Sequence, residues 1–399
     1  MVDVDALKAS PIGRAVRILV PEPGGTEATV PYWAYVPDPL PPAPALELAT
    51  LAVATDAAMA VARLDQALAQ LPNPGLLLRP IIRREATSTS ALEGTYAEFD
   101  EVLEAEFLDP RQLSGEQREI QNFVRAVDHA VDQLQTRPIS RKLLGELQQI
   151  IVRGTSGETY DAGDLRQRQV YIGPKNRPVQ DARFVPCPNG ESLVEGFSDW
   201  EKWINDCEAV PLVVRLALGH YQFETLHPYA DGNGRLGRLI AVLQLLEGKA
   251  LSSPALNLSP WFEAHRQDYM DGLLRVTHTG DFDTWVRFFS TAVEAQARDG
   301  VQVIGELIGF RDATLERLRA AGMRGSGLQI AENLIGYPVL DVRTARAMIG
   351  KSFEAANQAV ARLVELGVLR EITGRRMNRL FVCRPVFNIV NRPPAGAAR

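Results

Sequence analysis

Twelve consecutive residues restrict this chain more than any other stretch: His227-Pro228-Tyr229-Ala230-Asp231-Gly232-Asn233-Gly234-Arg235-Leu236-Gly237-Arg238. They lie between two helical patterns, 211–226 and 233–248, so the backbone must turn tightly and then begin a helix. The glycines permit that turn and bare the backbone N–H groups. A helix start adds partial positive charge and unpaired donors, which favours anionic oxygens. Arg235 and Arg238 are three residues apart and share one helix face, so their forked donors can face phosphates together. Asp231 supplies the hard oxygen that Mg²⁺ prefers. His227 carries the side chain whose ordinary pKa suits proton removal near neutrality. A core segment has no use for this inventory; a site that holds a polyphosphate and a metal beside a base uses all of it.

The rest of the chain narrows the setting. Its 399 residues suit two or three domains, and 46% hydrophobic content can build a sizeable core. A net charge of −6 argues against a protein that coats nucleic acid all over, though not against a local basic patch. Cys187, Cys207 and Cys383 are far apart and form no CxxC pair, and the histidines form no HxxH or HExxH pattern. Neither a disulfide framework nor a zinc site is indicated. There is no secretory n-region and h-region. No apolar run reaches the ~18–20 residues of a membrane span. The expectation is a cytoplasmic protein with no membrane contact.

Residues 1–44, with Pro21-Glu22-Pro23-Gly24-Gly25 and five further prolines from Pro37 to Pro44, read as an extended packing arm. Helical spacing then covers 46–71, broken by Pro72-Asn73-Pro74-Gly75, and continues over 76–93, 96–107, 114–134 and 139–153. Short β-type runs at 169–172 and 182–185, around Gly173, Pro174 and Asn176, signal a hairpin with a long loop. Helices are expected again at 191–206, 211–226, 233–248, 260–275, 282–298 and 302–321. Between 325 and 385, helices at 341–349 and 352–366 precede two strand-like runs flanking Gly374-Arg375-Arg376-Met377-Asn378-Arg379. That is the order of a winged helix. The fold class is therefore mainly α, with one β-hairpin flap and a C-terminal winged helix-turn-helix. Boundaries are expected at 1–113 for the arm and first helices, 114–300 for the catalytic domain, 301–324 for a linker helix, 325–386 for the winged helix and 387–399 for a tail.

The twelve residues resemble the signature of the Fic family, His-Pro-Phe-x-(Asp/Glu)-Gly-Asn-Gly-Arg-x-x-Arg, with Tyr229 where Phe is usual. The likeness extends over about 50–300. Gly163-Asp164-Leu165-Arg166 with Gln169-Val170-Tyr171-Ile172-Gly173 looks like the family's flap. His220-Tyr221-Gln222-Phe223-Glu224 looks like its pre-motif helix. Ser259-Pro260-Trp261-Phe262 and Tyr269 look like the helix behind the nucleotide. The resemblance implies transfer of AMP from ATP, with Mg²⁺, to a Ser, Thr or Tyr hydroxyl of a protein. His227 would be the base and Asp231 the metal ligand. Gly232, Asn233 and Gly234 would form an anion hole, Arg235 would take the β phosphate and Arg238 the γ phosphate. Glu93, His227, Leu236, Gly237 and Tyr269 would complete the ATP contacts, and a target segment would add to the 170–185 flap as a strand. The family's kinase branch carries Lys where Gly234 stands here, which argues against that branch.

Thr89-Ser90-Ala91-Leu92-Glu93-Gly94 fits the family's inhibitory pattern, (Ser/Thr)-x-x-x-Glu-(Gly/Asn). Thr89 and Glu93 are four apart, on one helix face. The resemblance implies that Glu93 pairs with Arg238, withholds it from the γ phosphate and misaligns ATP. Three other readings stay open: AMP removal at the same site, another nucleotide donor, and a nucleotide-sensing DNA-binding regulator. The stretch 341–384 has nine Lys/Arg against four Asp/Glu. Arg375, Arg376 and Arg379 sit in its wing, where phosphate contact is natural. The helix at 352–366 carries Glu354 and Glu365 against Arg362 alone, so DNA contact, protein docking and a homodimer all stay open, as does self-modification.

Overall fold

The computed structural model describes residues 2–21, 29–70, 73–174, 177–207 and 209–392. Pro23, Gly24, Gly25, Pro72, Asn176 and the end of the expected tail lie outside the described residues. The first departure from expectation is at the N-terminus. The described part of residues 1–44 is a helix and a hairpin rather than the expected extended packing arm. A short helix α1 (Val4–Lys8) precedes strands β1 (Gly13–Pro21) and β2 (Thr29–Pro37), paired antiparallel from Gly13↔Pro37 to Pro21↔Thr29. The prolines and glycines that suggested an arm lie mostly outside the strands. The strands themselves are rich in Val, Ile, Trp and Tyr, which favour a pleated, half-buried surface.

A helical array follows: α2 (Leu48–Ala69), α3 (Pro74–Leu92), α4 (Phe99–Ala105), α5 (Gly115–Gln133), α6 (Arg141–Val152), α7 (Glu191–Asp206), α8 (Leu212–Leu226), α9 (Asn233–Glu247), α10 (Ser259–Ala264), α11 (Arg266–Thr279) and α12 (Phe282–Ala320). Local chemistry accounts for many boundaries. Ser114 and Gln117 close a reciprocal capping box at the start of α5. Pro74 occupies the first turn of α3, where its missing N–H is harmless. In α2, Ala54, Ala57, Val61, Leu64 and Leu68 recur every three or four residues and face α12.

Two helix assignments change. The expected 260–275 helix breaks at His265 (φ −114°, ψ 34°), whose ring stacks on Trp261. Conversely, α12 runs unbroken through Asp299 and Gly300, where an interruption is expected. Gly300 lets α2 approach so closely that a Cβ would sit 2.9 Å from Leu64. Asp299 is buried between Arg84 (2.8 Å) and Arg392 (2.9 Å). Tertiary contact overrides the weak helix propensity of Asp-Gly. Asp299→Ala should strand the Arg84 guanidinium and cost about 3–5 kcal/mol, read as a clear drop in thermal midpoint.

The C-terminal unit comprises α13 (Ser326–Asn333), β3 (Val339–Asp341), α14 (Val342–Ile349), α15 (Phe353–Glu365), β4 (Arg370–Glu371), β5 (Leu380–Val382) and α16 (Arg384–Val390). Its sheet order is β3-β5-β4, all antiparallel, which with the two capped helices is the element order of a winged helix. Helices α13 and α16 are absent from the expected pattern. Helix α16 returns to the main array, where Phe387 packs on Phe99 and Arg384 faces Asp100. Gly336 of this unit approaches the Leu76 carbonyl of α3, which Pro80, lacking an N–H, cannot engage. Arg79 lies 4.3 Å over the Tyr337 ring. No helix among the described residues is long and apolar enough to cross a membrane.

Candidate active site

Helices α8 and α9 lie at the centre of the molecule. Every residue from Leu216 to Leu226 and from Asn233 to Leu245 is buried. Yet the two helices carry His220, Gln222, Glu224, Arg235 and Arg238. Buried charge costs free energy unless it is paired, so this pair of helices is where the fold concentrates polar chemistry.

Their junction is the twelve-residue run. His227 ends α8 in the left-handed region (φ 49°, ψ 61°), and its N–H donates to Phe223 O. A non-glycine residue there is uncommon and held by its surroundings. Its Nδ1 faces Glu224 O at 3.4 Å, which puts the ring proton on Nδ1 and leaves Nε2 as the lone-pair nitrogen. Burial, together with the Arg166 cation, pushes this imidazole down to about 4, so it is neutral near pH 7. Gly232 (φ 81°) caps α9, and the first N–H groups of that helix have no intrahelical partner.

The Asn233 side chain accepts from Tyr229 N (2.9 Å) and donates to Tyr229 O (2.8 Å), pinning the loop, so the share of Asn233 in an anion hole falls to its backbone N–H. Leu236 is fully buried core. Gly237 faces inward, where a Cβ would lie 2.5 Å from Glu224 Oε1. Tyr269 also packs inward, with its ring stacked on Phe262 and its hydroxyl 2.8 Å from His220 Nε2. Its charged neighbours are Glu224, Arg238 and Glu93. Burial pushes Glu224 up to about 8, against the pull of Arg238, and its Oε1 has no hydrogen-bond partner.

The Tyr229 ring is buried, as the usual Phe would be, but its hydroxyl finds no partner. Tyr229→Phe should therefore raise the thermal midpoint, since an unpaired buried hydroxyl costs about 1–3 kcal/mol. An unchanged or lower midpoint would show that the hydroxyl is satisfied in solution.

The guanidiniums are both engaged. Arg235 bonds Asp231 Oδ1 (2.9 Å) and Glu119 Oε2 (3.1 Å). Arg238 donates to Thr89 Oγ1 (2.7 Å), Thr89 O (3.1 Å) and Glu93 Oε1 (2.7 Å). Burial alone would raise the Glu93 carboxyl; Arg238 instead holds it below the ordinary range. Glu93 Oε1 occupies the space that a Cβ on Gly234 would need, so it lies directly over the start of α9. Gly94 follows at φ 85°, which lets the chain leave α3 at once. Thus the structure brings Thr89, Glu93, Gly234 and Arg238 together, although 145 residues separate Glu93 from Arg238.

Asp231 is 45% exposed at its side chain, and the loop after α6 passes so close that a Cβ at Gly157 would press on its carboxylate. Among the described residues no three carboxylate, His or Cys side chains gather around it. A hard cation there would take Asp231 plus phosphate and water oxygens, the usual manner of Mg²⁺.

Three contributors, Glu119, Gln148 and Gly157, carry no local sequence signal, and a fourth, Arg166, was marked only as part of the flap's entry. Glu119 reaches Arg235 from α5. Gln148 donates to Asp231 O (3.0 Å) and accepts from Gly163 N (2.7 Å). Gly157 yields space to Asp231. Arg166 contacts the carbonyl of His227 itself. The flap differs from a regular hairpin. Among the described residues a single bridge, Ile172↔Phe184, joins its arms, and a 3₁₀ turn at Val179–Asp181 precedes Phe184. Pro174, Pro178 and Pro186 remove ladder donors. Tyr35 N donates to Val185 O (3.0 Å), so the N-terminal hairpin braces the outgoing arm.

The Fic/DOC family N-terminal model matches residues 51–132, and the Fic/DOC family model matches 138–245. A protein adenylyltransferase Fic of Aedes aegypti is 28% identical over 158 residues, 39% of this chain and 26% of that protein. A protein adenylyltransferase fic-1 of Caenorhabditis elegans is 30% identical over 142 residues, 35% of this chain and 25% of that protein. The chain thus spans about a quarter of the length of these curated relatives. A crystal structure of a Fic family protein from Desulfovibrio desulfuricans G20 shares the fold, with a TM-score of 0.55 at 18% identity. It covers 86% of this chain and 98% of that one.

Proposed function

We propose that this chain is an autoinhibited adenylyltransferase of the Fic/DOC family, whose models match residues 51–132 and 138–245. It moves AMP from ATP to a protein hydroxyl. The observation that carries the reading is Arg238 held by Thr89 and Glu93 at the first turn of α9, beside His227 and Asp231. That turn offers unpaired N–H groups to phosphates. The target oxygen bonds to the α phosphorus as the bond to diphosphate breaks, and its proton moves to His227 Nε2. Such transfers depend on positioning and charge stabilisation. Mg²⁺, held through Asp231, would offset phosphate charge.

Arg238 serves the γ phosphate only when Glu93 lets go of it. Arg235 keeps Glu119 as its second partner, which holds its fork in place. The flap between 170 and 185 takes the target backbone as an added strand. Three free cysteines support a cytoplasmic setting.

The test weighs the intact protein after incubation with Mg²⁺ and ATP. The unaltered chain, Glu93→Gly and Glu93→Gly/His227→Ala are compared. AMP mass should appear on the Glu93→Gly chain alone. A Glu93→Gly chain that binds ATP yet modifies neither itself nor any protein of a cell extract would reject the reading.

A further inference from the structure

Arg166 is 1% exposed and forms no ion pair among the described residues. All of its bonds go to backbone carbonyls. Nε donates to His227 O (2.9 Å), Nη2 to Leu226 O (3.4 Å) and to Cys187 O, and Nη1 to Arg168 O (3.2 Å). Its own N–H donates to Pro228 O (3.0 Å). A buried cation without a counter-ion is expensive. Burial brings this guanidinium down to about 10, against a smaller opposing pull from Cys187. A fold that retains such a group draws something from it.

Its partners are informative. Leu226 O and His227 O lie at the C-terminal end of α8, the negative end of the helix dipole, which offsets part of the charge. Arg168 O belongs to the incoming arm of the flap and Cys187 O to the outgoing arm. One planar fork therefore joins both arms of the flap to the backbone of the proposed base. That backbone sits in the left-handed region, a conformation needing outside support. None of these bonds reaches Arg235, Arg238 or the first turn of α9.

We propose that Arg166 is the positioning residue of the transfer reaction, a strut that sets the His227 imidazole and ties its orientation to the flap that receives the target. The kinetic part of this inference rests on the transfer reading; the structural part does not. The strut also acts through charge. Around His227, Arg166 disfavours the imidazolium, whereas Glu93 and Asp231 favour it and Glu224 lies against Nδ1. Burial is the main cause that keeps the base neutral at physiological pH, and Arg166 adds to it, so the imidazole can accept a proton. Charge and geometry are separable, because lysine keeps the cation and loses the fork.

The experiment compares Arg166→Lys and Arg166→Met in the Glu93→Gly chain. Three quantities are read: kcat and KM for ATP, ATP affinity, and the His227 titration by NMR of labelled histidine, assigned with His227→Ala. Arg166→Lys should lower kcat by about 10- to 100-fold, the cost of a misplaced reacting group. KM and affinity for ATP should stay as in the parent. The His227 midpoint should also stay low in Arg166→Lys, and should move to higher pH in Arg166→Met. Arg166→Lys covers the case in which loss of the cation prevents folding.

A folded Arg166→Lys chain with parental kcat would overturn the strut. So would loss of ATP affinity in step with kcat, which marks general damage. If the parent transfers no AMP, the titration decides alone, together with the His227 ring shifts in Arg166→Lys. An Arg166→Met midpoint equal to that of the parent, with ring shifts unmoved in Arg166→Lys, rejects the inference.

Discussion

Glu93→Gly should raise AMP transfer by about 100- to 1000-fold, the usual weight of one preorganised charge-stabilising donor. Arg238 makes three bonds, two of them to Thr89 and one to Glu93. Removing the carboxylate leaves the Thr89 pair, so the guanidinium stays aimed while one Nη edge becomes free. The change also clears the start of α9, where Glu93 Oε1 fills the space beside Gly234. It removes a negative charge from a place meant for phosphate. Glycine is tolerated there because Glu93 is the C-cap of α3 rather than an interior helical residue.

ATP affinity should rise with the rate, since the same donor serves bound nucleotide. The rate is read by intact mass against time and the affinity by calorimetry. A Glu93→Gln chain should be intermediate, because it keeps the bulk over Gly234 and loses the charge. If Glu93→Gly folds normally and neither quantity changes, the Glu93–Arg238 pair is an ordinary ion pair and not a brake.

Replacing His227 in the released chain should abolish most of that gain, with a fall of about 100- to 10,000-fold, the range for general-base catalysis. The imidazole is neutral near pH 7 and presents Nε2 with a lone pair, so it is ready to take the hydroxyl proton. Two variants separate chemistry from backbone strain. Alanine at φ 49° costs about 1–2 kcal/mol, whereas asparagine accepts that conformation more readily. His227→Asn should therefore match the unaltered melting behaviour more closely and lose as much activity as His227→Ala. ATP should still bind both, because no nucleotide donor is removed. Transfer surviving in His227→Asn would assign the proton to another group.

Legibility in the sequence followed the range of the interactions. Helices α5, α8, α9 and α15 match their expected spans because spacing and caps are local. Helix α12 does not, because its continuity depends on Leu64 of α2 and on Arg84 and Arg392 around Asp299. The N-terminal hairpin was hidden by prolines that lie mostly outside its strands. In the site, the proximity of His227, Asp231, Gly232 and Gly234 was readable because one short loop carries them. The side-chain directions of Asn233, Leu236 and Tyr269 were not, since they depend on the neighbouring helices. Asn233 turns back on Tyr229, and Tyr269 turns into the aromatic core.

From residue order alone follow the tight glycine turn, the helix start that attracts anions, the two arginines on one face and the Thr89–Glu93 spacing. Each is a matter of a few bonds and of preferences that hold in any fold. Folding alone decides which charges meet. It sets Glu93 against Arg238 across 145 residues and Glu119 against Arg235 across 116. It also buries Arg166 under the backbone of His227. Coulomb and hydrogen-bond energies fall steeply with separation. Such partnerships therefore exist only once α3, α5, α8, α9 and the flap are packed together.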